Sequence, residues 1–419
     1  MGLAPKKVLL ITSGQPSLNP RLVKEADALT EAGYHVIVLY QYWNEWGTEL
    51  DKALLSGKKW KAHLIGGSPS TQKFTYFKSR LLHKIATSLI KRLGLNNRTA
   101  EQAIGRCTPL LIKKASSIPA AIYIAHNLAA LPAAVLAAQK HKAKCGFDAE
   151  DFHRNEQCDD LKNLNVQLKK HIEDKYIPHL DYLSTASPLI SLSYKELYPN
   201  HKPITILNVF PKQYIVKESK SINEKLKLFW FSQTIGIDRG LEIVIEAIAM
   251  LQHLDIELHL LGNHDTNIIR HFTQLAKKQG KKENFIFYHP PIPPDEIFKL
   301  ASRFDIGLAT EIGTPRNRDI CLTNKLFTYI QSGLAIIATD TKAQKAFFGN
   351  FPTLGYLFDK NNAKQLSEII KMYAFNLSLL NEHQDYALHL GHNRLNWENE
   401  SKILLETINN LISNNQVSL

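Results

Sequence analysis

The chain predicts an α/β protein of two domains, each a parallel sheet wound with helices. Three observations carry this expectation. Its 419 residues exceed what one hydrophobic core usually serves. Short uncharged runs, such as Val-Leu-Leu-Ile at 8–11 and Leu-Ala-Ile-Ile-Ala at 334–338, read as strands buried on both faces and are joined to stretches of helical apolar spacing. This alternation runs through the first half and begins again near residue 226, after a polar segment (212–224) suited to a linker. The expected division is an N-terminal domain 1–210, a linker 211–225, a second domain 226–385, and a helical segment 386–419 expected to pack back toward the N-terminal domain.

Taken in order, residues 7–13 form a first strand, the loop from Gly14 follows, and 21–32 has helical spacing ended by Gly33 before a second strand at 36–40. The loop has neither GxGxxG nor GxxxxGK[ST], which counts against a dehydrogenase or a P-loop NTPase. The run 8–11 is too short for the apolar core of a signal peptide. The uncharged segment 115–138 contains Pro119, His126, Asn127 and Pro132, so it divides into strand, turn and helix rather than forming a membrane span. Its strand, 121–125, ends at His126, where open α/β sheets place ligands. The next strand, near 145–147, ends in Asp148, Glu150, Asp151 and His153. These lack tight metal-ligand spacing and read as cleft-lining polar residues, so no metal is expected. Further strands are expected at 181–187, 204–207, 226–231, 256–261, 285–288 and 305–309, with helices at 241–254 and 400–412 and a polar loop at 310–319.

Charge is unevenly placed. Residues 52–147 hold seventeen Lys and Arg against one acid, Glu101, while the rest of the chain has 34 basic and 38 acidic residues. An anionic partner for one face follows. Within that segment, 74–95 places Phe77, Leu81, Leu82, Ile85, Leu89, Ile90 and Leu93 at helical spacing among Lys and Arg. Two readings stand side by side: a helix lying on an anionic membrane surface, or a packed helix with a solvated basic face. No nucleic-acid motif accompanies it, so no nucleic-acid partner is expected. The four cysteines show no CxxC and read as reduced structural thiols in a cytoplasmic protein.

The stretch 319–340 is the most informative. Thr323 is the expected N-cap of a helix 324–332, Gly333 its left-handed stop, and 334–338 a buried strand. Asn324 and Lys325 open the helix and nothing acidic follows before Asp340, so amides, dipole and ammonium together suit an anion, most naturally phosphate. The plainer reading is an ordinary capped helix with a solvated lysine. Arg239-Gly240, at the start of the helix 241–254, is a second candidate anion site, or else a loop arginine paired to Asp238.

Several segments together carry a family resemblance: residues 8–13 with Asn19-Pro20-Arg21 and Gly33-Tyr-His-Val36; Tyr123-Ile-Ala-His-Asn127; residues 230–240 with Leu241-Glu242; and Asn324-Lys-Leu-Phe-Thr-Tyr-Ile-Gln-Ser-Gly333 with 334–340. They are similar to the opening strand and "GHxV", the "h-x-H" strand end, the phosphate loop and the "K-L-x-E-Y-x-x-x-G-x-P-V-V-A-T-D" motif of the family-four (group 1) retaining glycosyltransferases. The resemblance implies the GT-B fold, two Rossmann-like domains facing a cleft. It further implies a nucleotide-sugar substrate, no other cofactor and a glycan or lipid-linked acceptor, in cell-surface polysaccharide or lipopolysaccharide synthesis at the inner face of the membrane. Carried onto this chain, Arg239 and Lys325 bind the donor diphosphate with the amides at Thr323 and Asn324, His126 faces the transferred sugar, and Gly14 lets the first loop approach the donor. Gln233, Thr234, Gly262 and Thr328 complete the donor-binding set. Gln233 and Thr234 stand where the family has an arginine, and Thr328 where it has the ribose-binding glutamate, whose partner position is Ile320, beside Asp319. Glu311 is the nearest glutamate and reaches the site only if its loop folds back. A catalytically degenerate binding protein and a sugar-nucleotide epimerase of the same fold are the alternative readings.

Overall fold

The computed structural model describes residues 6–95, 99–212, 225–280 and 285–413. It divides into two compact units, Met1–Leu207 with Pro315–Asn317 and Ser401–Leu419, and Asn208–Thr314 with Arg318–Glu400. The linker expected at 211–225 lies outside the described residues except at 211, 212 and 225. Among the described residues no helix is long and apolar enough to cross a membrane.

In the first unit, β1 (Lys7–Thr12), β2 (His35–Gln41), β3 (Lys61–Ile65), β4 (Ile122–His126), β5 (Lys144–Ala149), β6 (Tyr182–Thr185) and β7 (Ile204–Thr205) form one sheet. Their order is β3-β2-β1-β4-β5-β6-β7 and every pairing is parallel. Val8 to Ile11 of β1 have no exposed surface, as a central strand covered on both faces requires. The register sets Thr12 beside His126, and His126 beside Asp148, so these polar residues meet at the carboxyl edge. The helix Pro20–Glu31 starts with proline in its first turn and Asn19 accepting from the Leu22 amide. The terminal helix Trp397–Ser413 meets this unit through Asn409, bonded to the Tyr34 hydroxyl, and the Ile412 carbonyl, 3.4 Å from Lys6 Nζ.

The second unit repeats the plan. Its strands are β8 (Leu226–Thr234), β9 (Ile256–Asn263), β10 (Ile286–His289), β11 (Ile306–Ala309), β12 (Ala335–Thr339) and β13 (Gly355–Phe358). They run parallel in the order β10-β9-β8-β11-β12-β13. Leu228, Leu258, Ile306 and Ile337 build its core with Val244, Ile248 and Ile370 from the covering helices. In both sheets the winding reverses beside the first strand, at β1/β4 and at β8/β11, the kind of point where open α/β sheets bind ligands.

Three expectations are corrected. The helix drawn over 241–254 is Leu241–Ala249; Met250, 53% exposed, already lies beyond it. The loop 310–319 contains a short helix, Arg316–Ile320. Strands β3 and β13, absent from the sequence reading, are edge strands with half-exposed residues.

Candidate functional site

At the second unit's reversal point, the loop after β8 carries Arg239 and Gly240. Gly240 has φ +75°, and a Cβ there would lie 2.8 Å from the Thr310 Cβ and 2.9 Å from its carbonyl oxygen. Only glycine lets this loop approach the end of β11 so closely. The Thr310 hydroxyl then donates to the Arg239 carbonyl at 3.0 Å. Gly262, φ +153°, serves a similar purpose, since a Cβ would come within 2.3 Å of the Ser232 carbonyl oxygen. Arg239 is half-buried, and among the described residues its guanidinium has no hydrogen-bond or ion-pair partner. The plainer pairing with Asp238 is not formed; the Asp238 amide instead donates to Glu242 at 3.3 Å. Gln233 and Thr234 are exposed at the end of β8.

Beyond β11 the chain turns back. The Glu311 amide donates to Thr339 Oγ1 at 2.9 Å, and that hydroxyl donates to the Glu311 carbonyl at 2.8 Å. This double tie to the end of β12 brings the Glu311 carboxylate 2.6 Å from Lys325 Nζ. The ammonium also sits 5.6 Å from the centroid of the buried Trp230 ring. Lys325 is therefore not a freely solvated lysine.

Lys325 lies in the first turn of the helix Asn324–Gln331. Thr323 holds the N-cap position in extended conformation, yet its hydroxyl caps nothing; it is buried and without a hydrogen-bond partner. Among the described residues no side chain accepts from the first-turn amides; the Leu326 amide donates to the Thr323 carbonyl, and a helix start left open in this way is suited to an anion. Asn324 Oδ1 accepts from Asn208 Nδ2 at 2.9 Å. Thr328 is 2% exposed. Gly333, φ +67°, ends the helix as expected, with the Leu334 amide donating to the Tyr329 carbonyl. Asp319 accepts from the Lys342 amide at 3.1 Å and pairs with Lys342 Nζ and Lys360 Nζ at 3.1 and 3.2 Å. Burial would raise its pKa, but these contacts outweigh it and hold the carboxyl below its usual value.

The first unit's edge is built differently. The Gly14 amide donates to Thr12 Oγ1 at 3.1 Å, and that hydroxyl donates to Asn127 Oδ1 at 2.7 Å. A Cβ on Gly14 would meet nothing closer than 3.7 Å, so no neighbour in the chain demands glycine there. His126 is wholly buried, with Nε2 3.2 Å from Glu25 Oε2, and Nδ1 3.4 Å from Asp148 Oδ2 and 4.0 Å from Glu150. Arg21, also wholly buried, donates to both Asp148 oxygens at 2.5 and 2.7 Å and to the Ile206 carbonyl at 2.7 Å. Ser184 Oγ donates to Asp148 at 2.7 Å. Burial opposes charge on His126, but Glu25 and the flanking carboxylates overcome it and push its pKa well above the ordinary value. Burial opposes ionisation of Asp148 too; Arg21 and His126 hold it well below the carboxylate range. Glu25 is raised by burial and by Asp148.

Asp151 is half-buried and accepts from Asn317 Nδ2 at 2.7 Å, while His153 Nδ1 lies 3.4 Å from Glu156. Glu25, His126 and Asp148 offer ligand atoms within 4.8 Å of one another, the one arrangement among the described residues that suits a metal ion. The Arg21 guanidinium, in a fork on Asp148, already supplies the cation. Glu25 escaped the sequence reading. Its signal was Arg21 and Glu25 four residues apart, beside the inward stripe Leu22, Ala26 and Leu29.

No protein-family model and no curated relative matches the sequence. Solved structures do match. The chain is similar to a glycosyltransferase from Rickettsia africae at 15% identity and a TM-score of 0.68, over 98% of this chain and 100% of that one. It is similar to HepE of Anabaena, solved with UDP and glucose, at 13% identity and a TM-score of 0.67, over 97% and 100% of the two chains. A mutant of S. aureus TarM, in complex with fondaparinux, alpha-GlcNAc-glycerol and UDP, matches at 12% identity and a TM-score of 0.65, over 97% and 99%. The likeness is one of fold: the α/β architecture, a parallel sheet with its helices in each unit, matches that of GT-B glycosyltransferase structures.

Proposed function

We propose that the chain is a glycosyltransferase that moves a sugar from a nucleoside-diphosphate donor to a glycan or lipid-linked acceptor. In this reading transfer retains anomeric configuration, needs no metal and serves the assembly of a cell-surface polysaccharide or lipopolysaccharide, as in the family-four retaining enzymes. The observation that carries it is the Arg239 guanidinium, without a partner among the described residues, in the same loop cluster as Lys325 and an uncapped helix start, at the carboxyl edge of the second sheet. A departing nucleoside diphosphate gathers negative charge on its β-phosphate. Fixed cations and amides aimed at that charge are each worth about 3 kcal/mol in the transition state.

Arg239 and Lys325 take the diphosphate with the Asn324 and Lys325 amides. Glu311, tied back beside Lys325, is the carboxylate that accepts from donor hydroxyls, a service Thr328 has no charge to give. Gly14, open on its Cβ side, lets the first loop approach the transferred sugar, while His126, wholly buried between Glu25 and Asp148, supports that edge of the sheet rather than touching the sugar. Neighbours of this fold solved with UDP support a nucleotide donor. All four cysteines are free, in keeping with a reducing, cytoplasmic setting.

Thermal unfolding with UDP, GDP, ADP and CMP at millimolar concentration tests the reading. At a hundredfold excess over Kd, one nucleotide should stabilise by about 2.7 kcal/mol, and Lys325→Ala should abolish the gain. No shift with any of the four overturns it. Thr328, in place of the ribose-binding glutamate, favours a second reading in which the site binds without transfer. Donor turnover lost in Lys325→Ala and Arg239→Ala excludes that reading, and an altered sugar released without acceptor identifies an epimerase.

A further inference from the structure

The helix Lys73–Leu93 carries its apolar stripe on the side away from the protein. Phe74, Phe77, Leu81, Ile85 and Leu93, spaced by three, four or eight residues, are 80, 55, 59, 45 and 73% exposed. The face that packs inward is narrower and smaller, with Tyr76, Ser79, Ala86 and Ile90. Burying a stripe against the core is what shapes an ordinary surface helix, and here the order is inverted. Lys78, Lys84, Lys91 and Arg92 are exposed on the same helix, and no acid lies within it. Trp43 and Trp46, 66 and 53% exposed, belong to the adjoining surface, since Tyr42 packs edge-on against Tyr76 with ring centroids 5.7 Å apart.

A helix of 21 residues presents a strip about 30 Å long. Its apolar centre, basic flanks and exposed tryptophans match the layered chemistry of a bilayer surface, where acyl chains lie beneath anionic headgroups and indole rings favour the boundary. Two copies of this face brought together would oppose lysine to lysine, which disfavours self-association. We infer that the helix Lys73–Leu93, with Trp43 and Trp46, is a docking face for an anionic lipid bilayer and lies in the headgroup plane. The inference goes beyond the transfer reaction and does not depend on it.

Flotation of the full chain with phosphatidylcholine vesicles, with and without phosphatidylglycerol, at low salt and in 1 M salt tests it. Retention is expected on phosphatidylglycerol vesicles at low salt, with most of it lost at high salt. Leu81→Glu with Ile85→Glu should lower partitioning at least about tenfold at both salts while leaving the unfolding midpoint unchanged, since both side chains are exposed. Lys84→Gln and Lys91→Gln should each weaken binding to phosphatidylglycerol by about fivefold and leave binding to phosphatidylcholine alone. Three outcomes overturn the inference: no retention of the wild-type chain at low salt, equal retention of the Leu81→Glu, Ile85→Glu variant, or a concentration-dependent dimer that this variant abolishes. The last would assign the face to a second copy.

Discussion

At the carboxyl ends of β1 and β4, Arg21, Glu25, His126 and Asp148 are wholly buried, and each charge has an opposite charge beside it. At the equivalent ends of β8 and β11, among the described residues the Arg239 guanidinium has no partner, the Thr323 hydroxyl has none, and Lys325 is answered by the single carboxylate of Glu311. The strand order around both points is the same. Topology therefore repeats the same reversal point, and charge is arranged differently at each. In the first unit the cluster ties the helix Pro20–Glu31 to β4, β5, β6 and the residue following β7. In the second, among the described residues, the Arg239 guanidinium is left without a counterion.

The contrast breaks most severely at Asp148. Asp148→Ala leaves the Arg21 guanidinium buried without its counterion and should cost about 3–5 kcal/mol, read from the urea midpoint by tryptophan fluorescence. A loss below about 1 kcal/mol would mean the cluster does not clamp the sheet. A smaller effect is expected from pH. Burial opposes the charge of Glu156, but His153 and Lys169, 3.4 and 2.8 Å away, lower its pKa from 4.5 to about 2. Its folded value is depressed, so its contribution is full above the unfolded value and is lost as pH falls through about 2. Between pH 5 and pH 2 the wild-type chain should lose about 1–2 kcal/mol more than Glu156→Gln. The smallest effect sharpens the other side of the comparison. Thr323→Val replaces a hydroxyl that bonds to nothing, so stability should stay within about 0.5 kcal/mol, while nucleotide affinity falls about fivefold if that hydroxyl meets the ligand. Destabilisation beyond about 1 kcal/mol would show instead that Thr323 supports the helix start.

Central strands were legible in the sequence because burial on both faces leaves an unbroken apolar run, as in β1 and β12. Edge strands carry no such signal. In β3, Lys61 and His63 are exposed and the rest half-buried, and β13 is a glycine followed by three residues of which only Phe358 is buried. Glycine positions were equally readable, at the close approach of Gly240 and the helix stop of Gly333, where positive φ leaves few alternatives. Side-chain partnerships across the sheet were not. Glu25 meets His126 only because β1 and β4 pair in one particular register and the helix Pro20–Glu31 covers their junction. Glu311 reaches Lys325 through two hydrogen bonds to Thr339, a residue 28 positions further on. The inverted stripe of Lys73–Leu93 shows the same limit from the other side, since periodicity reveals that a helix has an apolar face but not which way that face turns.

The Glu311–Lys325 contact makes this ammonium an occupied receptor. A carboxylate held 2.6 Å away behaves as a tethered rival for every incoming anion, at an effective concentration set by the rigidity of its loop. An anion reaching Lys325 must either displace that rival or gather enough donors elsewhere to bind beside it. A single weakly held charge, such as chloride or a buffer ion, does neither easily. In the proposed reading, a diphosphate that also engages Arg239 and the amides of a helix start would bring several contacts at once, so the rival would set a threshold that a polydentate ligand crosses and a simple salt does not.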